Sequence, residues 1–160
     1  MDWTNWTPRE RANLCFIIKD QHVLLIRKKR GLGAGKINGP GGKLEPGETA
    51  LGAAIRETQE EIGVTPLQIQ ERGVLNFQFV DGYSLHCTVF VARDYEGTPV
   101  ETVEATPMWI PLDAIPYDDM WEDDRHWLPQ ALAGQGFDAW FVFDGDAMQS
   151  QRIEWRTSLE

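Results

Sequence analysis

Two short apolar runs near the N-terminus, Leu14–Ile18 and Val23–Ile26, are separated by the polar Lys19, Asp20, Gln21 and His22 and predict a pair of adjacent strands. The next stretch breaks any periodicity. Between Lys28 and Glu48 it holds seven glycines and two prolines, which predicts an irregular loop with several unobstructed backbone positions. From Ala50 to Ile62 the pattern turns helical. Leu51, Ile55, Thr58 and Ile62 recur on one stripe, and Gly63 and Pro66 supply the stop. Val74–Val80 and Leu85–Val91 flank Asp81-Gly82 as a hairpin. Met108–Ile110 adds a short strand before the LDAIP turn, and Asp123–Ala133 forms a second helix that Pro129 kinks or limits. Phe137–Phe143 is a final strand. Strands and two helices in this order predict an α/β layered fold.

The chain has 160 residues, 42% hydrophobic and 11% aromatic, enough for one sizeable core, so a single domain over residues 1–160 is expected. No apolar stretch approaches a signal sequence or a membrane span, which predicts a cytoplasmic protein with no membrane partner. Cys15 and Cys87 lie in apolar runs and are expected as buried free thiols. A formal charge of −10 argues against a polynucleotide partner, since that binding is driven by many Lys and Arg contacts to phosphates. A small polyphosphate is still open to an acidic protein if metal ions supply the positive charge.

Candidate chemistry lies on the first helix. Glu57, Glu60 and Glu61 stand at i, i+3 and i+4 and converge on one face, which the pattern places opposite the apolar stripe. Alone, such a cluster reads as a solvated charged face. The glycine-rich entry changes the picture, because hard carboxylate oxygens at this spacing suit Mg²⁺ or Mn²⁺ bridging to substrate phosphates.

Gly42-x5-Glu48-x7-Arg56-Glu57-Thr58-Gln59-Glu60-Glu61-Ile62-Gly63-Val64 resembles the signature box of the Nudix hydrolases, here residues 42–64. Only Thr58 departs, where that family carries an aliphatic residue. The resemblance implies the Nudix fold, a mixed β-sheet sandwiched between helices. It implies that Glu57, Glu60 and Glu61, with the Gly42 carbonyl, bind Mg²⁺ or Mn²⁺, and that Arg56 and Glu48 orient them.

Further blocks, KKRGLGAGKINGPGGKLEPGE, LNFQFV, GTPVETVEATPMW and IPYDDMWEDDRHW, resemble in order the MutT-type members of the family that hydrolyse oxidised purine nucleoside triphosphates. This resemblance makes Glu104 a further metal ligand or a general base and has Asn38 touch the base edge. It assigns a purine pocket to Trp121, Asp123 and Asp124. Lys28 and Phe77 match as wall or phosphate-side residues. From the residues alone, Trp121 also reads as core, and Asp123 or Asp124 as a helix cap. Leu32 and Asn13 stand where that group has an aromatic and a threonine, and both are expected at the pocket. His22, His86 and His126 have no ligand-like spacing. The implied reaction is Mg²⁺-dependent cleavage of a small nucleotide, such as 8-oxo-dGTP or 2-oxo-dATP, to monophosphate and pyrophosphate by a monomeric enzyme that sanitises the nucleotide pool. The other readings are a Nudix hydrolase of another diphosphate-linked substrate and a non-catalytic nucleotide-binding module.

Overall fold

The structure, a computed structural model, describes residues 1–157; residues 158–160 of the expected domain lie outside it. Its elements are β1 (Glu10–Lys19), β2 (His22–Lys28), β3 (Ile37–Asn38), β4 (Gly41–Lys43), α1 (Ala50–Ile62), β5 (Thr65–Phe79), β6 (Ser84–Glu96) and β7 (Ala105–Pro111). A 3-10 turn at Tyr117–Asp119 leads to α2 (Asp124–Leu132), β8 (Phe137–Asp144) and β9 (Ala147–Trp155). The strands join in one mixed sheet ordered β3-β2-β1-β6-β5-β8-β9, with β4 on β1 and β7 on β2. β1 runs parallel to β6 and β5 parallel to β8, while β5 and β6 form the long hairpin.

Alternation along the central strands divides the core in two. Cys15, Ile17, Leu24 and Ile26 face one side with Ala54 and Ile62 of α1. Phe16, Ile18, Val23 and Leu25 face the other, with Trp127, Leu128, Ala131 and Leu132 of α2. A strand buried on both faces reads as a continuous apolar run, and this is why β1 and β2 stand out in the sequence. The sandwich of a mixed sheet between helices is the expected fold. Both cysteines are free and buried. No helix of the described residues is long and apolar enough to cross a membrane.

Three expectations change. The glycine-rich segment is not wholly irregular, because β3 and β4 form within it. β4 pairs with β1 through Leu14↔Gly41 and Asn13↔Gly42, and a Cβ on Gly41 would collide with the Asn13 carbonyl. β5 and β6 extend well beyond the hairpin, and β9 is present although its residues are mostly exposed. On α1, Leu51 is 44% exposed, and the buried line is Ala54, Thr58, Glu61 and Ile62. Thr49 caps the helix start by accepting the Gly52 N–H, and Gly63 ends it in the left-handed region at φ 74°.

Candidate active site

Two neighbouring features share β4. One is the carboxylate side of α1. Arg56 grips Glu48 through Nε at 2.6 Å and Nη2 at 2.8 Å, and its Nη1 donates to Glu57 at 2.9 Å and Glu60 at 3.0 Å. A planar guanidinium donating in two directions can hold three carboxylates at once. Glu48 is consequently held at about 2, mainly by Arg56 and then by the Glu45 N–H.

Glu61 behaves differently from its neighbours. It does not share a solvated face with Glu60; it is 5% exposed and accepts the Gly41 N–H at 2.7 Å. Burial pushes its carboxyl up to about 8, opposed by the Gly41 N–H and reinforced by the charges of Glu57 and Glu104. Burial likewise raises Glu57, against the pull of Arg56 and with the push of Glu60 and Glu104. Gly42 leaves the room Glu57 needs, since a Cβ there would stand 2.5 Å from the carboxyl carbon. Glu104, in the turn before β7, pairs with Arg30 and is lowered by it.

The fold therefore brings the four glutamates within one another's fields, and their hard oxygens are the donor set a divalent cation of the Mg²⁺ kind takes. As the side chains stand, Arg56 engages Glu57 and Glu60, Arg30 engages Glu104, and the Gly41 amide engages Glu61. Among the described residues no three acidic or imidazole groups close as a ready-made metal group.

The other feature is a cavity of about 130 Å³ on the α2 side of the sheet. Asn13, Lys28, Leu32, Asn38, Phe77, Trp121, Asp123 and Asp124 all line it, so every residue expected at the pocket is brought together there. Gly41 and Gly42 also line it, which joins it to the carboxylate helix. Phe77 stacks on Phe141, and Trp121 meets Phe79 and Phe143 edge-on. Trp121 is half-buried rather than core. Gly33 lies so close that a Cβ would reach its indole nitrogen, and Lys36 covers the ring at 5.1 Å. Asn38 Oδ1 accepts the Gly39 N–H at 2.8 Å. Lys28 Nζ donates to the Leu32 carbonyl at 2.8 Å, and Leu32 itself is exposed.

Asp123 and Asp124 do not cap α2. Asp123 makes no side-chain cap bond, and its Oδ2 accepts from Trp127 Nε1 at 2.8 Å inside the protein. Both are buried, at 1% and 3% exposure, and each keeps one oxygen without a protein partner. Burial raises both carboxyls, Asp123 to about 6 and Asp124 well above the usual range because it also faces Asp123. Burial and mutual repulsion favour a protonated form of such an adjacent pair, in which one carboxyl donates while the other accepts.

Several participants carry no signal in the chain's local pattern. Cys87 and Tyr83 line the cavity, the Gly41 amide holds Glu61, and Asn13 donates to the Gly42 carbonyl at 3.1 Å. Each contact depends on pairing across the sheet.

Residues 8–131 match the NUDIX domain family. The chain is 42% identical over 133 residues to the oxidized purine nucleoside triphosphate hydrolase of Danio rerio, covering 82% of this chain and 85% of that protein. It is 41% identical over 142 residues to the mouse protein of that name, covering 88% and 91%. Among solved structures, a mutator MutT protein from Bacillus halodurans superposes with a TM-score of 0.80 at 25% identity, covering 91% of this chain and 97% of that one. Over most of its length, therefore, the chain shares the sequence and the fold of these hydrolases, and it belongs to the Nudix family.

Proposed function

We propose that this protein hydrolyses oxidised purine nucleoside triphosphates, 8-oxo-dGTP foremost, to the monophosphate and pyrophosphate, with Mg²⁺ or a substituting Mn²⁺. The observation that carries this reading is the joining of two sites through Gly41 and Gly42: a base-sized cavity ending in Asp123 and Asp124, and the Glu57-Glu60-Glu61 helix with Glu104 beside it. Glu57, Glu60, Glu61 and Glu104, with the Gly42 carbonyl, would hold the ion. When bound, it supplies positive charge to the phosphoryl oxygens and aligns a water.

The chain's own residues do the rest. Arg56, anchored by Glu48, sets the positions of Glu57 and Glu60 before any substrate arrives. Glu61, buried and raised, is held on Gly41 at the junction of the two features. Phe77 and Trp121 exclude water from the base, while Asn38, Asp123 and Asp124 present polar groups to its edge. Lys28 lies at the same mouth and offers positive charge toward the phosphates.

The decisive experiment is a substrate panel of 8-oxo-dGTP, 2-oxo-dATP, dGTP, a dinucleoside polyphosphate and a nucleotide sugar, with Mg²⁺ and product identification. The expected result is highest kcat/KM on an oxidised triphosphate with pyrophosphate as first product. Faster turnover of the dinucleotide or the sugar, or orthophosphate as first product, overturns the assignment. No turnover of any member leaves a binding module instead.

A further inference from the structure

Asn13 sits in the middle of β1, opposite Gly42 of β4, and is 1% exposed. Its Nδ2 donates to the Gly42 carbonyl at 3.1 Å. A carbonyl can accept only from the amino end of the carboxamide, so this bond fixes which way the group is turned. Oδ1 is left buried with no protein partner, on a residue that lines the cavity. Among the described residues four buried side-chain polar atoms lack a partner, and three are acceptor oxygens of this cavity: Asn13 Oδ1, Asp123 Oδ1 and Asp124 Oδ2. Buried acceptors left unpaired are unfavourable, so a ligand that brings N–H groups to them is favoured over one that brings lone pairs.

The three are not equivalent. The aspartates can take up a proton and become donors, whereas a carboxamide oxygen stays an acceptor at every pH. Oxidation of a purine at C8 changes its hydrogen bonding in two ways: C8 gains a carbonyl acceptor, and N7, a lone-pair acceptor in the parent base, becomes an N–H donor. Resting on the function proposed above, we infer that Asn13 Oδ1 is the fixed acceptor of this pocket, accepting the N7–H of an 8-oxopurine and repelling the N7 lone pair of the undamaged base. Asn13 is thereby a specificity-determining residue, and its Nδ2 bond ties it to the Gly42 junction with the carboxylate helix.

The test is equilibrium binding of 8-oxo-dGMP and dGMP, without divalent ion, to wild type, Asn13→Leu and Asn13→Thr, each checked for folding by thermal melting. Leu matches the shape without polar atoms. Thr keeps a hydroxyl for Gly42 with a shorter reach, and carries the test if the leucine variant does not fold. Wild type should prefer 8-oxo-dGMP, and the variants should lose about five- to tenfold of that preference, the amount one neutral hydrogen bond supplies. Preference unchanged in the folded variants, or equal weakening toward both nucleotides, overturns the role of Asn13 while leaving the proposed function standing. No preference in wild type overturns both.

Discussion

A single guanidinium organises the acidic side of α1. Glu60 is more than half exposed and pairs with Arg56, so Glu60→Gln removes one surface ion pair of about 0.3 to 0.5 kcal/mol from the fold. The expected outcome is a kcat lower by orders of magnitude with a thermal midpoint of the free protein nearly unchanged; near-normal turnover would remove Glu60 from the metal site. The aspartate pair leads to a pH effect. Burial raises Asp123 and Asp124 above their values in the unfolded chain, so between about pH 4 and 6 the folded state holds more protons than the unfolded one. Their contribution to stability is therefore present in acid and is lost as pH rises through that window and beyond. Asp124→Asn should raise the urea midpoint at pH 7.5 relative to wild type, with little difference near pH 4, while lowering kcat/KM for 8-oxo-dGTP about ten- to a hundredfold. Equal midpoints at both pH values would show that the pair is not held protonated in the fold.

At the level of elements, β4 is where the loop and the helix meet. Its glycines have steric reasons: Gly41 approaches the Asn13 backbone, and Gly42 accommodates the Glu57 carboxyl. Gly42→Ala should destabilise by about 1 to 3 kcal/mol as the carboxyl is displaced, with a larger loss in kcat than in substrate affinity; stopped-flow turnover and a denaturant curve read the two separately. Thr58 bears on α1 in another way. It is fully buried, and its hydroxyl donates to the Ala54 carbonyl at 2.8 Å, so the polar group the family lacks there is satisfied within its own helix. Thr58→Val should change stability by less than about 1.5 kcal/mol in either direction and leave kcat intact, as chemical denaturation and a turnover assay would record. The bounds of α1 were legible from the apolar spacing and from Gly63, because periodicity and a helix stop are local, whereas the Thr49 cap came only with the structure. The strands β3, β4 and β9 were not legible. Two are two and three residues long inside a glycine-rich stretch, and the third buries too little to show alternation.

Over the whole molecule, acidity and cation binding are linked. A net charge of −10 includes a cluster of glutamates that lie in one another's fields, and a divalent ion that binds only the folded chain must stabilise it. Mg²⁺ at a hundredfold over its dissociation constant should add about 2.7 kcal/mol, seen as a rise in thermal midpoint that Glu57→Gln diminishes. An unchanged midpoint at saturating Mg²⁺ would separate this site from the metal.

Local sequence sufficed for the layered α/β class, the bounds of the acidic helix and the pairing of a glycine-rich entry with three glutamates, because periodicity, helix stops and motif spacing are written over a few consecutive residues. It also brought the purine-pocket residues forward through ordered blocks of resemblance. The packing of distant segments settled that Glu61 is buried on the Gly41 amide and that Leu51 faces out. It also decided that the two aspartates line a cavity instead of capping a helix, and that Asn13, which lines the same cavity, keeps a buried oxygen without a partner. Those outcomes depend on which strand lies beside which. Burial, the raised carboxyls and the unpaired acceptors all arise where β1, β4 and the approach to α2 come together from distant parts of the chain, and no local pattern specifies that meeting.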